Sequence, residues 1–186
     1  GFARSGKDTF YQRSKIALEK EGYKACRFAF ADALKYEIDE ILSKYTEISA
    51  FTENKTEKEM IRPLLVTWGT DIRRKIDANC WIKKIQSDVE QRIKDGYYVF
   101  ITDVRYKNEA EWVKINGGVL VNLTSHDIVP ANHEEHRELH RIRPFVSHKV
   151  YWPTFGDDEL SKCDEFIVPF LSQVVTEEQN KVEQLI

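Results

Sequence analysis

The sequence predicts an α/β protein with helices layered against a parallel sheet, and three observations carry that expectation. Apolar residues alternate along the chain between helical and strand spacing. The chain opens on a glycine-rich turn that leads straight into a helical pattern. The most strand-like run, Tyr97 to Thr102, is apolar on both faces, as a parallel strand buried between helical layers must be.

Taken in order, Lys7 to Glu21 carries Phe10, Ile16, Ala17 and Leu18 at helical spacing and meets Gly22, a residue suited to a helix stop. Cys26 to Phe30 reads as a strand, and Ala33 to Tyr45 as a helix with Leu34, Ile38, Ile41 and Leu42 on one face. Ser49 to Lys55 is polar and loop-like. Thr56-Glu57-Lys58-Glu59 has the form of a capping box and starts a helix carrying Met60, Leu64 and Leu65. A further helix runs from about Ala78 to Asp95, with Gly96 as its stop. Beyond the strand Tyr97 to Thr102 come a short helix Asn108 to Asn116, a Gly117-Gly118 turn and a strand Val119 to Leu123. A long polar segment Ser125 to Ser161, a strand Glu165 to Val168 and a last helix complete the series. Strands separated by helices imply right-handed crossovers.

The 186 residues carry 28 Lys plus Arg against 31 Asp plus Glu, a formal net charge of −3, so charge alone names no partner. Basic residues alternate with acids instead of forming a stripe, which argues against nucleic acid. A hydrophobic share of 41% closes a core and excludes disorder as the main state, and no linker or repeat divides the chain, so one domain over 1–186 is expected. No apolar run reaches the ~20 residues that cross a bilayer. Cys26, Cys80 and Cys163 are odd in number and far apart, giving neither a disulfide framework nor a paired-cysteine metal site. A cytoplasmic protein is expected, in the host's cytoplasm if the source is viral. The apolar residues of Gln173 to Ile186 (Val174, Val175, Val182, Leu185, Ile186) either cover the sheet or face a second subunit, so a homodimer stays open.

Gly1-Phe2-Ala3-Arg4-Ser5-Gly6-Lys7 fits G-x-x-x-x-G-K, a loop whose backbone N–H groups curl around phosphate oxygens while the lysine reaches the β and γ phosphates. Residues Ala3, Arg4, Ser5, Gly6, Lys7, Asp8 and Thr9 would wrap a nucleotide tail. Asp8 stands where a Ser or Thr commonly follows the lysine, with Thr9 behind it. Either Asp8 contacts Mg²⁺, directly or through water, or it orients the acceptor, while Thr9 touches metal or phosphate.

Thr102-Asp103-Val104-Arg105-Tyr106-Lys107-Asn108-Glu109 puts Asp103, Arg105 and Glu109 at the carboxyl edge of the sheet, where α/β folds bind ligands. An acid there can hold Mg²⁺ or its waters, and an arginine can clamp an anionic oxygen. The middle of the chain supplies Arg62, Trp68-Gly69-Thr70-Asp71, Arg73, Arg74 and Trp81. Tryptophan can cover a base and arginine can neutralise a monophosphate. Arg73 and Arg74, being adjacent, point to different sides of a helix.

Four blocks, GFARSGKDT, FADALK, RPLLVTWGTDIRR with the following Trp81, and ITDVRYKNEAEWVKINGG, together resemble the phage-type deoxynucleoside monophosphate kinases, in the family's order and over Gly1 to about Leu123. Trp68 departs from the pattern, which has a smaller aliphatic residue there. The resemblance implies a P-loop NMP-kinase-like fold of three layers with sheet order 2-3-1-4-5, an NMP-binding helical insertion at about 33–95 and a lid at about 125–161. It implies Mg²⁺-ATP as donor and a deoxynucleoside monophosphate as acceptor. By the family motifs Lys7, Asp8 and Thr9 belong to the phosphate and metal site, and Arg62, Gly69, Thr70, Trp81, Asp103, Arg105 and Glu109 line the acceptor site. The catalytic set is then Lys7, Asp8, Arg62, Asp103 and Arg105. The central strand of such a sheet would lead into the opening turn, so a strand of about 5–8 residues before Gly1 is expected. Two rivals are a P-loop kinase for another small phosphorylated metabolite, of phosphomevalonate or dephospho-coenzyme A type, and a nucleotide-binding module without turnover.

In the polar segment, His133-Glu134-Glu135-His136 fails the H-E-x-x-H zinc motif because Arg137 holds the second histidine's place. A charged solvated face is the expectation for His133, His136 and His140. Arg137, Arg141 and Arg143 are each candidates to reach the transferring phosphoryl group from a mobile lid.

Overall fold

Gly6 sets the first element. Its left-handed backbone (φ 79°, ψ 24°), which glycine adopts without Cβ strain, turns the chain into α1 (Lys7–Lys20). The computed structural model describes residues 5–124, 133–151, 153 and 155–183. After α1 come β1 (Lys24–Phe28), α2 (Phe30–Thr46), α3 (Lys55–Val66), a π-helical segment (Thr67–Arg73), the short α4 (Arg74–Ile76) and α5 (Cys80–Lys94). Then follow β2 (Tyr97–Ile101), α6 (Lys107–Ile115), β3 (Val121–Thr124), α7 (His133–Ile142), a 3-10 turn (Arg143–Phe145), β4 (His148–Tyr151), a 3-10 segment (Asp157–Cys163) and α8 (Asp164–Glu183). The fold is mixed α/β and divides into a sheet unit, residues 1–27 and 92–186, and a helical unit, residues 28–91.

In the sheet unit, among the described residues, β1 pairs with β2 and β3 with β4. The second pair is parallel, with Val121 opposite His148 and Leu123 opposite Val150. One core serves both pairs: Phe10 and Leu18 of α1, Ala25, Leu123, Val150, Cys163, Ile167 and Leu171, with Tyr98 and Phe100 packed against it. Arg13 locks α1 to the start of α8 by donating from both nitrogens to Asp164, Nε to Oδ1 at 2.8 Å and Nη2 to Oδ2. A second cluster of Ala110, Leu120 and Ile142 joins α6 to α7.

Three differences from the sequence reading have physical causes. Glu165 to Val168 is not a strand but the first turns of α8. Cys163, Ile167 and Leu171, four residues apart, form one buried row of helical period, and a four-residue apolar run cannot by itself be told from part of such a row. The polar segment holds a strand, β4, whose His148-Lys149-Val150-Tyr151 composition signals little until β3 offers it an edge. Finally, β2 is half-buried along its whole length, not fully buried, because among the described residues its only strand neighbour is β1.

The helical unit packs around Ile38, Leu42, Ala50 and Ile61, with Trp68 and Leu65 against them. Ile41 stays 61% exposed beside the Ile38–Leu42 row instead of joining it. The cap of α3 falls two residues earlier than the Thr56 box: Asn54 Oδ1 accepts the Thr56 N–H at 2.9 Å, and Glu57, at the third helical position, takes the Thr52 hydroxyl. Gly22 and Gly96 end α1 and α5 in left-handed conformations. All three cysteines are free, and burial pushes each thiol up, so they act as apolar packing. Among the described residues no helix is long and apolar enough to cross a membrane. In α8, Val175 packs on the sheet-unit core, whereas the Val182 side chain, Leu185 and Ile186 lie outside the described residues.

Two predictions follow from the packing. Ile167 is 0% exposed, so Ile167→Ala should cost about 2–5 kcal/mol in urea unfolding. Asp39 accepts the Ala50 N–H at 2.7 Å and the Ser49 hydroxyl at 2.8 Å, and these bonds hold its carboxyl below the ordinary 3.8. A depressed folded value stabilises at neutral pH and loses that stabilisation as pH falls through it. The melting-temperature gap between the wild type and Asp39→Asn should therefore be full above pH ~5 and close as pH drops below the ordinary aspartate range.

Candidate functional site

At the carboxyl ends of β1 and β2 the sheet unit gathers cationic, acidic and hydroxyl groups. Gly6, at the cap position of α1, has no side chain to cap the helix, and the positive end of the helix dipole lies there. The first intrahelical bond runs from the Phe10 N–H to the Gly6 carbonyl at 2.8 Å. Ser5 is buried, and Lys7 Nζ sits 3.4 Å from its Oγ. Asp8 presents a carboxylate 83% exposed, with Arg27 Nε 3.7 Å from its Oδ1. The same Nε donates to Thr102 Oγ1 at 3.0 Å. Arg27 therefore links the start of α1 to the end of β2, one residue before Asp103. Gly1, Phe2, Ala3 and Arg4 lie outside the described residues.

The loop after β2 is shaped by Glu109, which is only 1% exposed. Its Oε2 accepts the N–H groups of Arg105 at 2.8 Å and Tyr106 at 3.0 Å, closing the amino end of α6. Asp103 is left half-buried and Arg105 exposed.

In the helical unit Arg62 projects exposed from α3, and the π-helical segment builds a wall. Gly69 is buried against α2: a Cβ built on it would lie 2.8 Å from Leu34 Cδ2. Its carbonyl accepts the indole N–H of Trp81 at 3.2 Å, and Trp81 is only 2% exposed. The Arg73 guanidinium stands over the Trp81 ring, 5.7 Å from its centroid. Arg74 parts from its neighbour as adjacent helical residues must, donating to the Ala78 carbonyl at 3.4 Å. Thr70 is half-buried beside Gly69. Glu37 of α2 accepts from Trp68 Nε1 at 3.0 Å and from Arg73 Nη2 at 3.3 Å, with Lys84 Nζ 3.1 Å away. Burial opposes its ionisation, but bonds from Lys84, Trp68 and Arg73 prevail and hold the carboxyl below its usual range.

In α7, Arg141 Nη1 donates to Glu138 Oε1 at 2.8 Å and Arg137 Nε lies 3.6 Å from the same oxygen. Arg143 is exposed and pairs with no carboxylate among the described residues. His136 and His140 meet ring to ring at 4.9 Å, and no group of three metal-ligating side chains occurs among the described residues.

The predicted residues thus fall into two groups. Ser5 to Thr9, Asp103, Arg105 and Glu109 belong to the sheet unit, and Arg62, Gly69, Thr70 and Trp81 to the helical unit. Sequence reasoning missed Arg27 and Glu37. Arg27 carried one usable signal, a cation at a strand end. Glu37 carried none, since its partners lie 31 and 36 residues away.

The architecture is that of an α/β protein with cationic, acidic and hydroxyl groups at the carboxyl ends of β1 and β2. A model of the deoxynucleotide monophosphate kinase family matches residues 34–138, more than half of the chain, and the chain belongs to that family. A search of curated proteins gave no match.

Gly69→Ala should push the Leu34 methyls aside at a cost of about 1–3 kcal/mol, read as a lowered urea midpoint.

Proposed function

We propose that the chain transfers the terminal phosphoryl group of ATP to the phosphate of a deoxynucleoside monophosphate, giving ADP and the deoxynucleoside diphosphate. One observation carries this reading within the family: left-handed Gly6 opens α1 with Lys7 in its first position. That arrangement suits phosphate oxygens, which accept backbone N–H bonds and a cationic partner together. An exposed Asp8 carboxylate beside the Thr9 hydroxyl is a donor set for a hard cation. Mg²⁺ bound there would neutralise charge on the phosphate tail.

The acceptor needs no general base, because its attacking oxygen is already ionised. The chain's task is positioning and charge neutralisation. Lys7 holds the donor phosphates, Asp103 orients water or metal at the sheet edge, and Arg62 and Arg105 neutralise the acceptor phosphate. Glu109 holds the loop that presents Arg105. Trp81, Gly69 and Thr70 bound the nucleoside. In this reading the two strand pairs belong to one sheet ordered 2-3-1-4-5. Residues at about 33–95 are the acceptor insertion, and those at about 125–161 are a lid. Of the lid arginines, Arg143 is the one proposed to reach the phosphoryl group, since Arg137 and Arg141 are engaged by Glu138.

In a coupled ADP-release assay, one or more dNMPs should raise the rate above ATP hydrolysis alone, and Lys7→Ala should lower kcat by ~10²-fold or more. Absence of acceptor-dependent turnover with every dNMP, while other phosphorylated metabolites support it, would replace this reading with the metabolite-kinase one. Among Arg137→Ala, Arg141→Ala and Arg143→Ala, the last should reduce kcat most; equal rates for all three would remove the lid assignment.

A further inference from the structure

Within the helical unit, one side chain gathers donors from two neighbouring elements. Glu37, on α2, is less than one-fifth exposed, and both of its oxygens are engaged. Oε1 takes the Trp68 N–H at 3.0 Å, and Oε2 takes Arg73 Nη2 at 3.3 Å. Arg73 Nε also lies 2.7 Å from Oε1, close enough for charge contact though not aligned as a hydrogen bond. Lys84 reaches Oε2 from α5 at 3.1 Å.

The backbone explains how Trp68 and Arg73 come to one carboxylate. They are five residues apart, and an α-helix would turn them about 140° from one another. Between Thr67 and Arg73 the helix is π-type, and its i→i+5 bonding stacks residues five apart on the same side. Arg73 then extends over the Trp81 ring, and Trp81 closes the circuit on the Gly69 carbonyl. Trp68 is anchored at its other edge, packing on the Ile38, Leu42, Ala50 and Ile61 cluster. A guanidinium held over an indole by a carboxylate cannot swing away, and its position is fixed before any ligand arrives.

We propose that Glu37 is a positioning residue of the acceptor site, fixing the Trp68 indole and the Arg73 guanidinium as a rigid wall that receives the nucleoside monophosphate. The inference rests on the dNMP kinase reading above. Glu37 touches neither substrate in this scheme; it acts through Trp68 and Arg73. Two cations against one carboxylate also leave the cluster with a net positive charge suited to a phosphate-bearing ligand.

The test is calorimetric binding of each of the four dNMPs, and separately of Mg²⁺-ATP, to the full chain, with steady-state kinetics alongside. Glu37→Ala should weaken dNMP binding by roughly tenfold or more and raise the dNMP KM in step, leaving Mg²⁺-ATP affinity unchanged. Glu37→Gln should fall between, because its amide oxygen still accepts from Trp68 while the ion pairs with Arg73 and Lys84 are lost. Val89→Ala, a buried change on α5 in the same unit, controls for simple destabilisation and should leave dNMP affinity as in the wild type. If Glu37→Ala binds dNMP like the wild type, or Val89→Ala weakens it equally, the positioning role is overturned while the kinase reading stands. If the wild type neither binds nor phosphorylates any dNMP, both fall together.

Discussion

The approach of the Gly69 backbone to Leu34 is the constraint on which the helical unit is arranged. With no Cβ at residue 69, the segment after α3 lies directly against α2, and only at that separation does one carboxylate on α2 reach two side chains across the gap. The same closeness turns the Gly69 carbonyl into the anchor for a buried tryptophan from the next helix. A small residue at one position thus decides the placement of an indole, a guanidinium and a second indole.

The sheet unit solves a different problem. Its core is continuous from α1 through both strand pairs to α8, and the Arg13–Asp164 pair closes one flank of that core. Rigid packing beneath leaves the strand ends as the place where polar groups can be exposed without loss of stability. Arg27, Thr102 and Asp8 meet there in one short network, so these groups are held by the framework and not by a long loop.

Much of this was legible in the residues. Helical period located α1, α2 and α5, and the glycines at 22 and 96 marked the ends of α1 and α5, where the chain turns left-handed. The motif blocks pointed to the family that the chain belongs to. What could not be read depended on contacts between distant segments. β4 exists because β3 lies beside it, and residues 165–168 are helical because Cys163 and Leu171 extend their row in both directions. Arg73 and Glu37 are ordinary charged residues until a π-helical turn and a missing side chain at Gly69 bring them together. The cap of α3 lies two residues earlier for a smaller reason: the asparagine at 54 accepts the N–H groups of Thr56 and Glu57, so the helix has already begun before Thr56 could cap it.

The π-helical segment has a consequence for how this chain can vary. A π turn holds one residue more per circuit than an α turn, so winding this stretch as an ordinary α-helix at its present length would swing Arg73 about 140° away from Trp68. Arg73 would leave the carboxylate, and the helix bearing Trp81 would be re-aimed. The winding of this stretch, together with its side chains, keeps the indole and the guanidinium on one carboxylate.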